Sequence, residues 1–235
     1  MNALSPRVQE LLLHRTGLIT EEDLKLLSEK ERTELILELQ RLSTLDFLTG
    51  LPNRRFFETD IRRLVERRAR KGGVPFVIGM ADVDHFKSVN DIHGHKVGDS
   101  VLHVVARCLS RGIRPEDRVC RWGGEEFALF LECVDNEKAF EIAERIRASV
   151  ERSLFVAEKH GKEFKVTISI GLVDSSLIPL NMPPNKQIEE LLFFADKALY
   201  VAKNGGRNNV RSADGPSNRR QWTHQEPVPI EKRKK

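Results

Sequence analysis

The chain has 235 residues, 40% of them hydrophobic and 31% charged, with 39 Lys and Arg against 35 Asp and Glu. That suits one domain of common size with appendages, and it excludes a spanning helix, because no apolar run approaches the roughly 20 residues a bilayer requires. Six of the basic and three of the acidic residues lie beyond Ser212, so the body is close to neutral and a nucleic-acid-binding surface is not expected despite a pI of about 9.0.

The first residues lack a charged-then-apolar signal pattern, so a cytoplasmic protein without membrane insertion is expected. Cys108, Cys120 and Cys133 are odd in number and show no Cys-x-x-Cys spacing, which argues against a disulfide framework or a zinc site.

Residues 1–45 read as a helical stalk or regulatory segment. Ser5-Pro6 is a cap followed by a first-turn proline, and Thr20 precedes an acidic first turn with Ile19 and Leu24 placed for a staple. Leu24, Leu27, Leu35, Leu39 and Leu42 form an apolar stripe that Ser28 and Glu31 interrupt. The stripe suits pairing with a second copy, docking of a regulatory protein, or packing on the chain's own domain.

Gly50 and Pro52 then break the helix, Asn53 can cap the next one, and a domain spanning residues 46–211 begins. Val74 to Ala81 is an apolar run fit for a strand buried on both faces, ending in Asp82-Val83-Asp84. The chain is polar from Asn90 to His95, and a helix carrying Val97, Val101, Val104, Val105 and Cys108 follows. Arg114 to Leu131 reads as a hairpin around Gly123-Gly124, where glycines permit a tight turn. A helix from about 136 to 152, a strand from 165 to 173, a proline-bearing loop to 186, a helix from 188 to 202 and a short edge strand at 209–211 follow. Residues 212–235 have the composition of a disordered basic tail.

Strands alternating with helices around a central hairpin predict an α+β fold, a ferredoxin-like or palm-type βαββαβ sheet backed by helices. Such a fold places the end of the first buried strand beside the hairpin. Asp82 would then meet Glu125 and Glu126, and carboxylates from two strands with an open face suit divalent ions for phosphoryl or nucleotidyl transfer. Each motif alone has a plainer reading, a solvated turn for Gly-Gly-Glu-Glu and a strand-end cap for Asp-Val-Asp. His93 and His95, a pair in a glycine loop, are expected to be structural or solvent-facing rather than metal ligands.

Five ordered motifs carry a resemblance. Asp46 to Arg55 (DFLTGLPNRR), Asp82 to Asp91 (DVDHFKSVND), Gly94-His95 with Gly98-Asp99, Arg121 to Phe127 (RWGGEEF) and Ala195 to Arg207 (ADKALYVAKNGGR) together resemble the GGDEF-domain diguanylate cyclases over roughly residues 44–211. The resemblance implies condensation of two GTP into cyclic di-GMP and two pyrophosphates, each subunit of a homodimer or higher oligomer holding half a site. It implies Mg²⁺ or Mn²⁺, about two per GTP, held by Asp82, the Val83 carbonyl, Glu125 and Glu126. Glu125 is the usual candidate for the 3′-hydroxyl proton, with Glu126 assisting; lowering of the hydroxyl pKa by metal is the rival explanation.

By the same resemblance Phe86 and Lys87 lie at the substrate, Lys87 stabilising phosphate charge, while Lys203 and Arg207 clamp the β- and γ-phosphates. Without it, Lys203 and Arg207 would read as cations complementing a helix C-terminus. Asn90 and Asp99 would choose guanine, since a carboxylate accepts from both N1–H and the 2-amino group. Arg114 and Asp117 match the spacing of an R-x-x-D product-inhibition site for cyclic di-GMP, with Arg145 where a second arginine is supplied in some members. Glu125 stands where the family name has Asp, a longer carboxylate that still reaches a metal. Two other readings stay open: an inactive cyclic di-GMP-binding effector module, and a palm-type nuclease or polymerase.

Overall fold

The computed structural model describes residues 4–13, 19–70, 75–132, 134–157 and 161–213. The stretch expected to be a basic tail lies, from residue 214 onward, outside the described residues.

The amino-terminal segment forms α1 (Pro6–Leu13), α2 (Glu21–Lys25) and α3 (Glu29–Thr44). Thr20 and Asp23 make a capping box on α2. Ser28 and Glu31, the two residues that interrupt the leucine stripe, make the equivalent reciprocal pair at the start of α3, with Glu31 accepting from the Ser28 N–H at 2.9 Å and Ser28 Oγ accepting from the Glu31 N–H at 3.3 Å. The chain therefore turns where the stripe is broken, and the stripe divides. Leu27 and Leu35 are buried with Val8 in a small cluster, whereas Leu24, Leu39 and Leu42 stay exposed.

After α3 come α4 (Arg54–Arg70), β1 (Phe76–Val83), α5 (Phe86–His93), α6 (His95–Gly112), β2 (Arg118–Gly123), β3 (Glu126–Glu132), α7 (Asn136–Glu151), β4 (Phe155–Ala157), β5 (Lys162–Phe164), β6 (Ile168–Asp174), α8 (Pro184–Asn204) and β7 (Val210–Ser212). The main sheet has the order β2-β3-β1-β6-β7, with β7 parallel to β6 at the edge and β4-β5 a separate ribbon. Its first four strands follow the expected βαββαβ path.

All eight residues of β1 are buried because helices cover both faces. Val77, Ala81, Phe127, Leu129, Ile170 and Leu172 face α5, α6 and α7. Phe76, Ile78, Met80, Ala128, Phe130 and Val173 face α4 and α8. Strand alternation thus assigns Asp82, in step with Ile78 and Met80, to the α8 face. α8 lies directly on β6 at Gly171, where an added Cβ would stand 2.1 Å from the Leu199 nitrogen and 2.2 Å from the Ala195 carbonyl. That close approach brings the last turn of α8 alongside the end of β1.

Two segments differ from expectation. The stretch from Phe86 to His93, for which the sequence predicts no element, is the helix α5, entered through His85 in the left-handed region at φ 56°; Phe86 and Val89 bury one short apolar side. The β4-β5 ribbon was not expected, and its Phe164 stacks on His93 at 4.3 Å between ring centroids. His93 is thus a packing residue.

Candidate active site

β1 and β3 are antiparallel with Asp82 directly opposite Glu126. Directly opposed residues present their side chains to the same face, so this register places both carboxylates on the α8 side. The Val83 N–H donates to the Glu125 carbonyl at 3.3 Å, fixing the hairpin tip to the strand end. Asp82 is 6% exposed. Its pKa is pushed up to about 6 by burial, against the pull of the Lys203 ammonium, with Glu125 and Asp84 adding to the rise. Lys203 Nζ stands 2.7 Å from Asp82 Oδ2.

Asp84 has a different task. Oδ2 accepts from Thr167 Oγ1 at 2.7 Å and from the Asn208 N–H at 3.0 Å, while Oδ1 accepts from Ser169 Oγ at 2.7 Å. Fully engaged and buried, it anchors the loop between α8 and β7. Arg207 and Asn208, both in that loop, have positive φ. Asp84 therefore helps fix the backbone that carries Arg207, which is exposed.

The hairpin itself turns one residue later than expected. Gly123 closes β2 opposite Glu126, the loop residues are Gly124 and Glu125, and the register shifts between Arg121 and Gly123 because Trp122 is the extra residue of a bulge. Gly124 takes φ 57°, the conformation for which glycine is favoured. Trp122 is buried beneath the Arg54 guanidinium, 4.3 Å from its ring, and edge-on to Phe57. Arg121 locks the turn: Nε and Nη2 donate to the Gly124 carbonyl at 2.9 and 2.8 Å, and Nη1 donates to both oxygens of Asp46 at 3.1 Å.

A cleft of about 560 Å³ opens beside the turn, lined by Asp99, Gly123, Gly124, Arg121 and the loop from Asp46 to Leu48 among others. Asn90, on α5, lies against α6, where a Cβ at Gly98 would fall 2.0 Å from its Oδ1. Asn90 thus sits beside the residue that precedes Asp99; Asp99 lines the cleft and Asn90 is not among its lining residues. Phe86 is buried and Lys87 exposed in the first turn of α5, directly after the strand that carries Asp82.

Arg114 and Asp117 line a second cleft of about 370 Å³ with Leu51, Pro52 and Arg118. Asp117 is 5% exposed, its oxygens accepting from the N–H groups of Arg114 at 2.9 Å and Glu132 at 3.0 Å. Arg145, on α7, donates to the Gly112 carbonyl at the end of α6 at 2.8 Å and is not among the residues lining that cleft.

Among the described residues no three His, Cys, Asp or Glu side chains gather around one point. The donors at the strand end are instead paired carboxylates with backbone carbonyls. That set fits Mg²⁺, which takes few protein carboxylates and fills its shell with phosphate and water. The Lys203 ammonium already held by Asp82 marks the position as one that attracts a cation.

Asp82, Glu125, Glu126 and Lys203 stand out in the sequence, whereas nothing there assigns a role to Arg121, Asp46, Asp84 or Gly98. The charge of Arg121 next to a glycine turn was a usable signal; the partners of Asp84, more than 80 residues distant, left none.

A family model described as "Diguanylate cyclase, GGDEF domain" matches residues 43–209. The probable diguanylate cyclase DgcT of Escherichia coli K12 is 42% identical over 165 residues, covering 70% of this chain and 34% of that protein; the chain thus spans about a third of that relative. The coiled coil and GGDEF domain of DgcB from Caulobacter crescentus, solved in complex with c-di-GMP, aligns with a TM-score of 0.71 at 29% identity, covering 78% of this chain and 93% of that one. The diguanylate cyclase SiaD of Pseudomonas aeruginosa, solved in complex with its activator SiaC, aligns at 0.65 and 36% identity, covering 79% of this chain and 67% of SiaD. With the expected sheet, the paired carboxylates at its strand ends and a family match across most of its length, this chain belongs to the GGDEF-domain diguanylate cyclase family.

Proposed function

We propose that this protein condenses two GTP into cyclic di-GMP and two pyrophosphates, each of two copies supplying half of the reaction site. The observation that carries the reading is the Asp82–Glu126 register, with Lys203 against Asp82 at the edge of the sheet. Residues 46–211 form the catalytic domain in this reading and residues 1–45 a helical regulatory segment.

Asp82, the Val83 carbonyl, Glu125 and Glu126 hold Mg²⁺ or Mn²⁺, about two per GTP in this family. Bound metal supplies charge stabilisation at the phosphates and lowers the pKa of the attacking 3′-hydroxyl. Glu125 stands on the hairpin loop as the residue to accept that hydroxyl proton, with Glu126 beside it. Lys87, in the first turn of α5, meets phosphate charge together with the N-terminus of that helix. Lys203 and Arg207 clamp the outer phosphates, and Asp84 supports Arg207 from beneath. Asn90 and Asp99 read the guanine edge, whose N1–H and 2-amino donors match the acceptors they present.

Feedback inhibition acts through Arg114 and Asp117, with Arg145 fixed nearby at the end of α6. The exposed leucines of α2 and α3 serve dimerisation or a regulatory protein; SiaD, a structural neighbour, was solved with an activator bound. Among the described residues no helix is long and apolar enough to cross a membrane, and cytoplasmic action fits a nucleotide substrate. Incubating the protein with GTP and Mg²⁺ and resolving the products tests the reading. An effector module would bind cyclic di-GMP without forming it.

A further inference from the structure

We infer that Lys203 is an exchangeable counter-ion: in the metal-free protein its ammonium neutralises Asp82, and a divalent cation must displace it, releasing it toward the phosphates. The identity of those phosphates rests on the cyclase reading; the exchange itself rests on the geometry.

Lys203 Nζ is 2.7 Å from Asp82 Oδ2, with the Asp82 side chain 8% exposed and the Lys203 side chain 25% exposed. A carboxylate this buried needs a cationic partner. The ammonium and a metal ion would use the same oxygen lone pairs and repel each other at that range. The helix that carries Lys203 cannot shift easily, because α8 lies backbone-to-backbone on Gly171. The side chain can, since four methylenes separate its charge from the helix and a quarter of it is open to solvent.

Two consequences follow. Metal binding is weakened until Lys203 leaves, and a triphosphate that captures Lys203 removes that competitor. Nucleotide and metal then strengthen one another through Lys203 in addition to any direct contact, and by linkage the effect is reciprocal.

The test is Mn²⁺ binding to the full-length, nucleotide-free protein, followed by the electron paramagnetic resonance signal of free Mn²⁺. Lys203→Met should bind Mn²⁺ on the order of five- to tenfold more tightly than wild type. Lys203→Arg, which keeps a cation at Asp82, should stay near wild type, and adding Asp82→Asn to Lys203→Met should abolish the tightened site. Equal Mn²⁺ affinity in wild type and Lys203→Met, or tightening that survives Asp82→Asn, would overturn the inference. If Lys203→Met fails to fold in metal-free buffer, refolding on addition of Mn²⁺ that the double variant does not show supports the exchange, and no rescue contradicts it. A Lys203-dependent Mn²⁺ affinity in a protein that forms no product from GTP would sink the cyclase reading and leave the exchange standing; product formation with indifferent Mn²⁺ affinity does the reverse.

Discussion

The Arg121 guanidinium joins the Asp46 carboxylate to the Gly124 carbonyl, so one side chain holds both the residue just after the helical segment and the hairpin turn. Two more bonds run beside it: the Arg121 N–H donates to the Pro52 carbonyl at 3.0 Å, and Asn53 Nδ2 donates to the Ser43 carbonyl, in α3, at 2.9 Å. α3 is therefore tied to the turn through a few short polar contacts.

Arg121→Ala removes both halves of that clamp. The side chains are only 14% and 16% exposed, so a stability loss of about 2 kcal/mol is expected in urea unfolding, with a larger fractional loss of cyclase activity. Burial opposes ionisation of Asp46, but hydrogen bonds from Thr49 and Arg121 outweigh it and hold its pKa below the ordinary value. Its contribution is present above the unfolded carboxylate pKa and is lost as pH falls through the lower folded value. Asp46→Asn should therefore flatten the acid limb of the stability curve; an unchanged acid limb would show that the ion pair adds nothing.

Asp82 and Asp84, two residues apart, should separate cleanly. Asp84→Ala leaves two hydroxyls and a backbone N–H without their acceptor and should cost about 3 kcal/mol of stability. Asp82→Asn should leave the urea midpoint close to wild type and abolish turnover. Parallel unfolding and activity assays check the pair, and equal stability losses would contradict the division of labour.

Much of this was legible in the sequence. The apolar run ending in Asp82-Val83-Asp84 located β1, and the glycine pair located the hairpin. The helix α5 was not, since Phe86 and Val89 are its buried apolar residues and its entry depends on a left-handed His85, which no periodicity shows. The turn was displaced by one residue for a tertiary reason: Trp122 is drawn under Arg54 and against Phe57, and the bulge follows. The task of Asp84 was hidden because all of its side-chain partners come from β6, its approach and the loop after α8.

Gly98→Ala probes the proposed guanine contact of Asn90 without replacing Asn90 itself. A Cβ there would fall 2.0 Å from Asn90 Oδ1, so Asn90 must move. The expected result is a GTP KM raised by about tenfold, one hydrogen-bonded contact's worth, with a smaller change in kcat. An unaltered KM would argue that Asn90 plays no part in holding the base.

The second cleft offers a contrast between partner and scaffold. Arg114→Ala should relieve inhibition by cyclic di-GMP while leaving the melting temperature unchanged. Asp117→Ala should relieve it too, but with about 2 kcal/mol of lost stability, because the Arg114 and Glu132 N–H groups lose their acceptor. Initial-rate assays with added product, alongside thermal unfolding, separate the two, and inhibition that persists in both variants would remove this cleft from the regulatory account.

The most direct measurement is the conversion of GTP by the purified full-length protein in Mg²⁺, resolved by chromatography, beside the Asp82→Asn variant. Expected are cyclic di-GMP and two equivalents of pyrophosphate from the wild type, a specific rate that rises with protein concentration, and no product from Asp82→Asn. Cyclic di-GMP formation by Asp82→Asn at the wild-type rate, or a folded wild type that binds GTP and never turns it over, would contradict the cyclase reading.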